Sequence, residues 1–99
     1  MTHITFTIMY YVYLLRSKVD KSLYVGCTAD LQDRFHLHNK GKVFSTRNKR
    51  PWQLLYYEAF VSKKDAFRRE ASLKLHAQGL RRLKERLSDS LSESYVCHE

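Results

Sequence analysis

Two tyrosine-bearing segments, an arginine, a histidine and a glutamate are the side chains here best suited to chemistry. The first segment is Tyr10-Tyr11-Val12-Tyr13 and the second is Tyr24-Val25-Gly26, with Arg34, His38 and Glu70 further along. A guanidinium is a planar fork that matches phosphate oxygens, so Arg34 suits charge stabilisation at a reacting phosphodiester. Glu70 sits in the middle of an apolar helical arc, where an ionised, unpaired carboxylate is costly. It needs a cation partner, a proton or a metal. Two readings stay open: an ion pair with an arginine such as Arg34, or a ligand for a hard divalent cation that takes oxygen donors and keeps several waters. Strand tyrosines usually serve packing. Tyr13 and Tyr24 differ if their strands pair as a hairpin, because their hydroxyls then lie near each other. A phenol can orient or deprotonate a water, but its ordinary pKa near ~10 needs help from a nearby cation. His36 and His38 point in different directions on a helix, so they are not a metal pair. His38 lies one turn beyond Arg34 and reads equally as a satisfied core residue or a catalytic aid.

The elements that must position these groups follow from pattern. Met9 to Leu15 is rich in β-formers and predicts a strand. Arg16 to Lys21 suits a hairpin loop, and Ser22 to Cys27 a second, antiparallel strand. Asp30 predicts a helix N-cap, with Asp33 as its capping-box partner. That helix runs to about Lys40, and Gly41 stops it. Leu31, Phe35 and His38 share its inward face, flanked by Arg34. The loop from Lys42 to Pro51 is basic. Lys40, Lys42, Arg47, Lys49 and Arg50 predict a phosphate-tracking patch, with Trp52 or Phe44 available for stacking. Trp52 to Phe60 predicts a third strand. Ser62 to Asp65 has the form of a capping box, so a helix should start at Ser62. Its inward arc is Ala66, Leu73 and Ala77, with Phe67 on one flank and Arg68, Arg69, Ser72 and His76 opposite. Gly79 breaks the pattern before a last helix carrying Leu80, Leu83 and Leu87. The order is β, β, α, β, α, α, which predicts an α+β fold: a small three-stranded antiparallel sheet flanked by helices.

Bulk properties bound the function. A chain of 99 residues is one domain with a modest core. Residues 1–8 read as an extension or edge segment, 9–87 as the domain and 88–99 as a polar tail without strong pattern. The formal net charge of +8 favours polyanions, nucleic acid first and an anionic membrane second. No window is apolar enough to span a bilayer, and the N-terminus lacks signal-peptide features, so the expectation is a cytoplasmic protein. Cys27 and Cys97 do not suggest a disulfide framework. The tail pair Cys97-His98 is a poor metal site.

Taken together, these residues resemble the GIY-YIG nuclease family, in its small, single-domain bacterial form. Tyr11-Val12-Tyr13 stands in the place of the first motif and Tyr24-Val25-Gly26 in that of the second. Arg34 follows at the family's spacing, and Glu70 lies within Arg69-Glu70-Ala71. The resemblance covers roughly Met9 to Leu87. It implies hydrolysis of a DNA phosphodiester with one divalent ion, Mg2+ or Mn2+, bound by Glu70. It further implies that Arg34 stabilises phosphate charge, that Tyr13 and Tyr24 position or activate the attacking water, and that His38 fills a position holding Tyr or His in several members. The first motif glycine is replaced by Tyr11, Cys27 stands where some members have lysine, and a late asparagine has no match near Arg82. With no second DNA-binding domain attached, a protein partner or self-association is expected to supply specificity. The alternatives are a nucleic-acid-binding module on the same fold with weak or lost catalysis, and an interaction protein whose basic surface meets an acidic partner.

Overall fold

Apolar and aromatic residues dominate three segments, which form one antiparallel sheet in the computed structural model, where residues 8–92 are described. The strands are β1 (Tyr10–Ser17), β2 (Leu23–Thr28) and β3 (Trp52–Phe60), in spatial order β2-β1-β3. Helices α1 (Leu31–Asn39), α2 (Lys63–Leu75), α3 (Ala77–Arg86) and α4 (Ser88–Leu91) complete the α+β fold. Residues 1–7 and the Cys97-His98 pair lie outside the described residues. Among the described residues, no helix is long and apolar enough to cross a membrane.

The central strand sorts its side chains by strand period. Val12 and Leu14 point to one face and pack with Val25, Ala66, Leu73 and Leu83 beneath α2 and α3. Tyr13 and Leu15 point to the other face and pack with Trp52, Tyr24, Leu31 and Phe35 beneath α1. On β3, Leu54 pairs with Leu15 and Tyr56 with Leu14, so Leu55 is the extra residue of a bulge. That bulge lets Leu55 and Tyr56, though consecutive, both join the α2/α3 side.

Local signals set most boundaries. Asp30 caps α1, its Oδ1 accepting from Asp33 N at 3.0 Å. The reciprocal half of the expected capping box is absent: Asp30 N donates to Thr28 Oγ1 at 3.1 Å instead. Gly41 follows the helix at φ 76°, a conformation that favours glycine. Ser62 caps α2 by accepting from Asp65 N.

Four expectations are corrected. Arg16 and Ser17 belong to β1 and not to the hairpin loop. Ser17 Oγ donates to Lys49 O at 2.6 Å, and the Arg16 guanidinium donates to Leu91 O at 2.8 Å. The break after α2 falls at His76 (φ −118°, ψ 105°), whereas Gly79 lies inside α3, close to the backbone of Ser72. Ala77 is exposed and Arg69 half-buried, the reverse of their expected faces. Arg69 ion-pairs with Glu58 on β3 at 2.8 Å, a partner that helical spacing alone does not reveal. Finally, the stretch after Leu87 is not patternless, since Ser88–Leu91 is helical and held by Arg16.

Gly26 is opposite Tyr13 in the β1–β2 ladder. A Cβ at this position would collide with the Tyr13 ring and hydroxyl. Gly26→Ala is therefore expected to cost about 1–3 kcal/mol through overpacking. Urea unfolding of the variant checks this, and an unchanged midpoint would show that the ring relocates freely.

Candidate functional site

Tyr13 is 2% exposed, yet its hydroxyl is a polar group that must be satisfied. The bare backbone of Gly26 lets the ring lie across β2 toward α1, where the hydroxyl meets His38 Nε2 at 2.8 Å. His38 is fully buried (0% exposed), and its Nδ1 lies 2.7 Å from Thr46 Oγ1. Thr46 donates in turn to Val43 O at 3.4 Å, and its own carbonyl accepts the Trp52 indole N–H at 2.9 Å. With the Thr46 hydroxyl proton assigned to Val43 O, Thr46 accepts from His38 Nδ1–H. His38 Nε2 then accepts from Tyr13. This polarity leaves the Tyr13 oxygen free to accept from other groups.

Arg34, half-buried on α1, stands at that oxygen. Burial pushes the Tyr13 hydroxyl up to about 12, and the Arg34 hydrogen bond opposes the rise, while the charges of Tyr24 and Glu70 add to it. His38 is pushed the other way, to about 4, first by burial and then by the Arg34 charge. At neutral pH the pair is thus phenol and imidazole, both uncharged.

Tyr24 completes the aromatic side. Its ring lies 5.1 Å from His38, 6.4 Å from Tyr13 and 6.2 Å from Trp52, centroid to centroid. Glu70 approaches from α2. Its Oε2 is 3.0 Å from Lys74 Nζ, which also lies 5.6 Å from the centroid of the Tyr24 ring. The Glu70 carboxylate raises both Tyr13 and the Cys27 thiol, with burial the larger cause in each case.

Tyr13, Tyr24, Arg34, His38 and Glu70 are thus brought together, at the edge of the sheet formed by β2. Of the two readings open for Glu70, the ion-pair reading meets a different cation from the arginine considered: Glu70 is held by Lys74, one helical turn on. The basic residues are spread more widely. Lys40 and Lys42 are exposed at the end of α1. Arg47 stacks over Phe44 at 4.7 Å, Lys49 pairs with Asp20 of the hairpin at 3.3 Å, and the Arg50 guanidinium lies against Gly41. Trp52 is not available for stacking. It is 4% exposed, and Asn39 clamps its backbone by accepting from its N–H at 2.6 Å and donating to its carbonyl at 3.2 Å. Thr46 and Lys74 are the two site residues that sequence reasoning missed. The i, i+4 spacing of Glu70 and Lys74 was a usable signal, whereas nothing local marks Thr46.

The donors suit one kind of metal and not another. Among the described residues, no group of three or more His, Cys, Asp or Glu could form a protein cage for an ion. Zinc, which wants four such ligands, does not fit. Magnesium does, since it keeps several waters and uses one or two carboxylates together with substrate phosphates. Glu70 is such a carboxylate, and the Lys74 ammonium already marks a place for positive charge beside it.

A family model described as the GIY-YIG catalytic domain matches residues 9–85. A UPF0213 protein of Staphylococcus haemolyticus is 41% identical over 80 residues, 78% of this chain and 96% of that protein. One from Streptococcus pyogenes is 49% identical over 65 residues, covering 65% and 70% of the two chains. The solution NMR structure of a UPF0213 protein from Bacillus halodurans covers 81% of this chain and 82% of that one, with 40% identity and a TM-score of 0.49.

The buried neutral histidine has a consequence for stability. Its folded value lies below the ordinary 6.5, so the unfolded chain binds more protons between pH 6.5 and about 4. Stability from this group is complete above pH 6.5 and lost as pH falls through about 4, by up to about 3 kcal/mol. Urea unfolding at pH 7 and pH 4.5 should show the drop. His38→Gln, less stable at neutral pH, should show a smaller one, and equal drops in both proteins would assign the effect to other groups.

Proposed function

The chain belongs to the GIY-YIG catalytic-domain family, and on that premise we propose that it is a divalent-metal-dependent DNA endonuclease that hydrolyses phosphodiester bonds. The observation that carries this reading is the Tyr13–His38–Thr46 hydrogen-bond chain, with Arg34 at its open end and Glu70 facing it from α2. A catalytic group needs a fixed orientation, and this chain supplies one.

Each residue has a role that its surroundings support. Arg34 binds a phosphate oxygen through its fork and stabilises the charge that develops there. Tyr13 donates a hydrogen bond to His38 Nε2 and presents its lone pair to the attacking water. Burial raises Tyr13 and lowers His38, and both shifts oppose full transfer of that proton. Tyr13 therefore orients the water and does not act as a phenolate base in the resting site. Tyr24 walls the site and keeps His38 dry. Glu70 would hold a single Mg2+ or Mn2+, which supplies charge neutralisation at the phosphate when bound. Lys74 competes with such an ion for Glu70 Oε2. Lys40, Lys42, Arg47, Lys49 and Arg50 track the DNA backbone.

The Glu70–Lys74 pair also favours a second reading, in which the carboxylate stays occupied and the protein only binds nucleic acid. That version requires salt-sensitive DNA binding that survives Glu70→Ala, with no cleavage by the parent protein.

The test is nicking of single-stranded, duplex, branched and flap DNA with magnesium or manganese. Glu70→Ala and Arg34→Ala should each lower the rate by about 100-fold or more. A parent protein inert on all four substrates with both metals would sink the nuclease reading. A separate expectation concerns Lys74→Met, which should lower the metal concentration for half-maximal nicking several-fold by freeing Glu70. A rise in that concentration would show that Lys74 supports the metal and does not compete with it.

A further inference from the structure

Phe44 is 80% exposed, while its neighbour Val43, and Thr46 two positions on, are buried. One exposed apolar side chain has no meaning by itself. Three observations give this one a direction. The segment that carries it is fixed at several points. Thr46 is bonded to His38 and to the Trp52 indole, and Lys49 O accepts from Ser17 Oγ at 2.6 Å. The ring is braced by the Arg47 guanidinium at 4.7 Å and is still open to solvent with that cation in place. It also stands among Lys42, Arg47, Lys49 and Arg50 in sequence, so whatever covers it must tolerate or prefer a positive field.

A second copy of the chain fits poorly, because each copy carries a net charge of +8. A polyanion that also offers flat apolar faces fits well, and a nucleic acid with an unstacked base is such a ligand. Rigidly held apolar side chains are inserted between base steps by other DNA-binding proteins. Phe44 lies at most about 7 Å of chain from Thr46, whose hydroxyl touches the His38 that orients Tyr13. Thr46 is the end of that hydrogen-bond chain remote from Arg34, so a base stacked on Phe44 would lie on the Thr46 flank of the site.

We propose that Phe44 is a stacking wedge for an unpaired base in the DNA that flanks the bond to be cut. On this basis the preferred substrate is DNA with a local opening: a bubble, a flap or a junction of single and double strand. This rests on the nuclease reading above and specifies its substrate.

The experiment measures binding and cleavage separately. The full-length Glu70→Gln variant, in Phe44 and Phe44→Ala backgrounds, is titrated with matched duplex and bubble DNA carrying 2-aminopurine at the junction. With Phe44 present, bubble DNA should bind about ten-fold more tightly than duplex, with quenching of the 2-aminopurine signal. Phe44→Ala should lose both the preference and the quenching, and Phe44→Trp should keep them. Phe44→Ala is at a surface position, so its folding is not at risk. The proposal is overturned if Phe44→Ala retains the preference. It is equally overturned if the substitution changes only the sedimentation behaviour of the protein, which would make the ring a contact between copies. Equal nicking of duplex and bubble by the parent protein removes the proposal and leaves the nuclease intact. Selective binding without cleavage by the parent protein does the reverse.

Discussion

The contact of the Tyr13 ring with the bare backbone of Gly26 is the constraint on which the rest of the site depends. Tyr13 occupies the central strand, where a side chain is normally committed to one face and one layer of packing. With no Cβ opposite, its ring crosses the neighbouring strand and its hydroxyl reaches His38. His38 then holds Thr46, Thr46 holds the indole of Trp52, and Asn39 holds the backbone of Trp52. The contact at this one small residue is thus linked through hydrogen bonds to α1, to the loop that follows it and to the start of β3.

The network is closed, which matters in a buried setting. Among the described residues, every buried side-chain nitrogen or oxygen has a hydrogen-bond partner. Low local dielectric strengthens satisfied bonds and penalises broken ones, so a closed chain is rigid and specific. Its charged members sit at the margin: Arg34, Glu70 and Lys74 are more exposed than Tyr13 and His38. Neutral groups fix the geometry inside, and the charged groups lie nearer to solvent.

Much of this was legible in the sequence. Strand period, the caps at Asp30 and Ser62, and the turn at Gly41 are local rules, and they hold here. The grouping of Tyr13, Tyr24, Arg34, His38 and Glu70 was expected from the resemblance to the family's motifs, and strand and helix spacing alone suggested only which faces they share. What was not legible depended on partners distant in sequence. Arg69 looks like a surface arginine until Glu58 of β3 is seen across from it. Trp52 begins a strand beside a basic loop, which reads as a stacking platform until Thr46 and Asn39 enclose it. Ser17 and Arg16 look like turn residues until Lys49 and Leu91 supply acceptors. The helix break moved from Gly79 to His76 because the glycine is used for close approach of α3 to α2.

The strand order β2-β1-β3 also governs when this cluster of side chains can come together during synthesis. β1 and β2 pair through a short hairpin, so the Tyr13–Gly26 contact is available early. The other edge of β1 waits for residue 60 to meet residue 10, a closure across more than half the chain with a correspondingly large entropic cost. Glu70 follows that strand, and the carbonyl that receives Arg16 comes later still, at Leu91. A nascent chain therefore carries both tyrosines and the arginine well before it has the carboxylate. The cluster is assembled in an order that withholds its carboxylate until the sheet is complete.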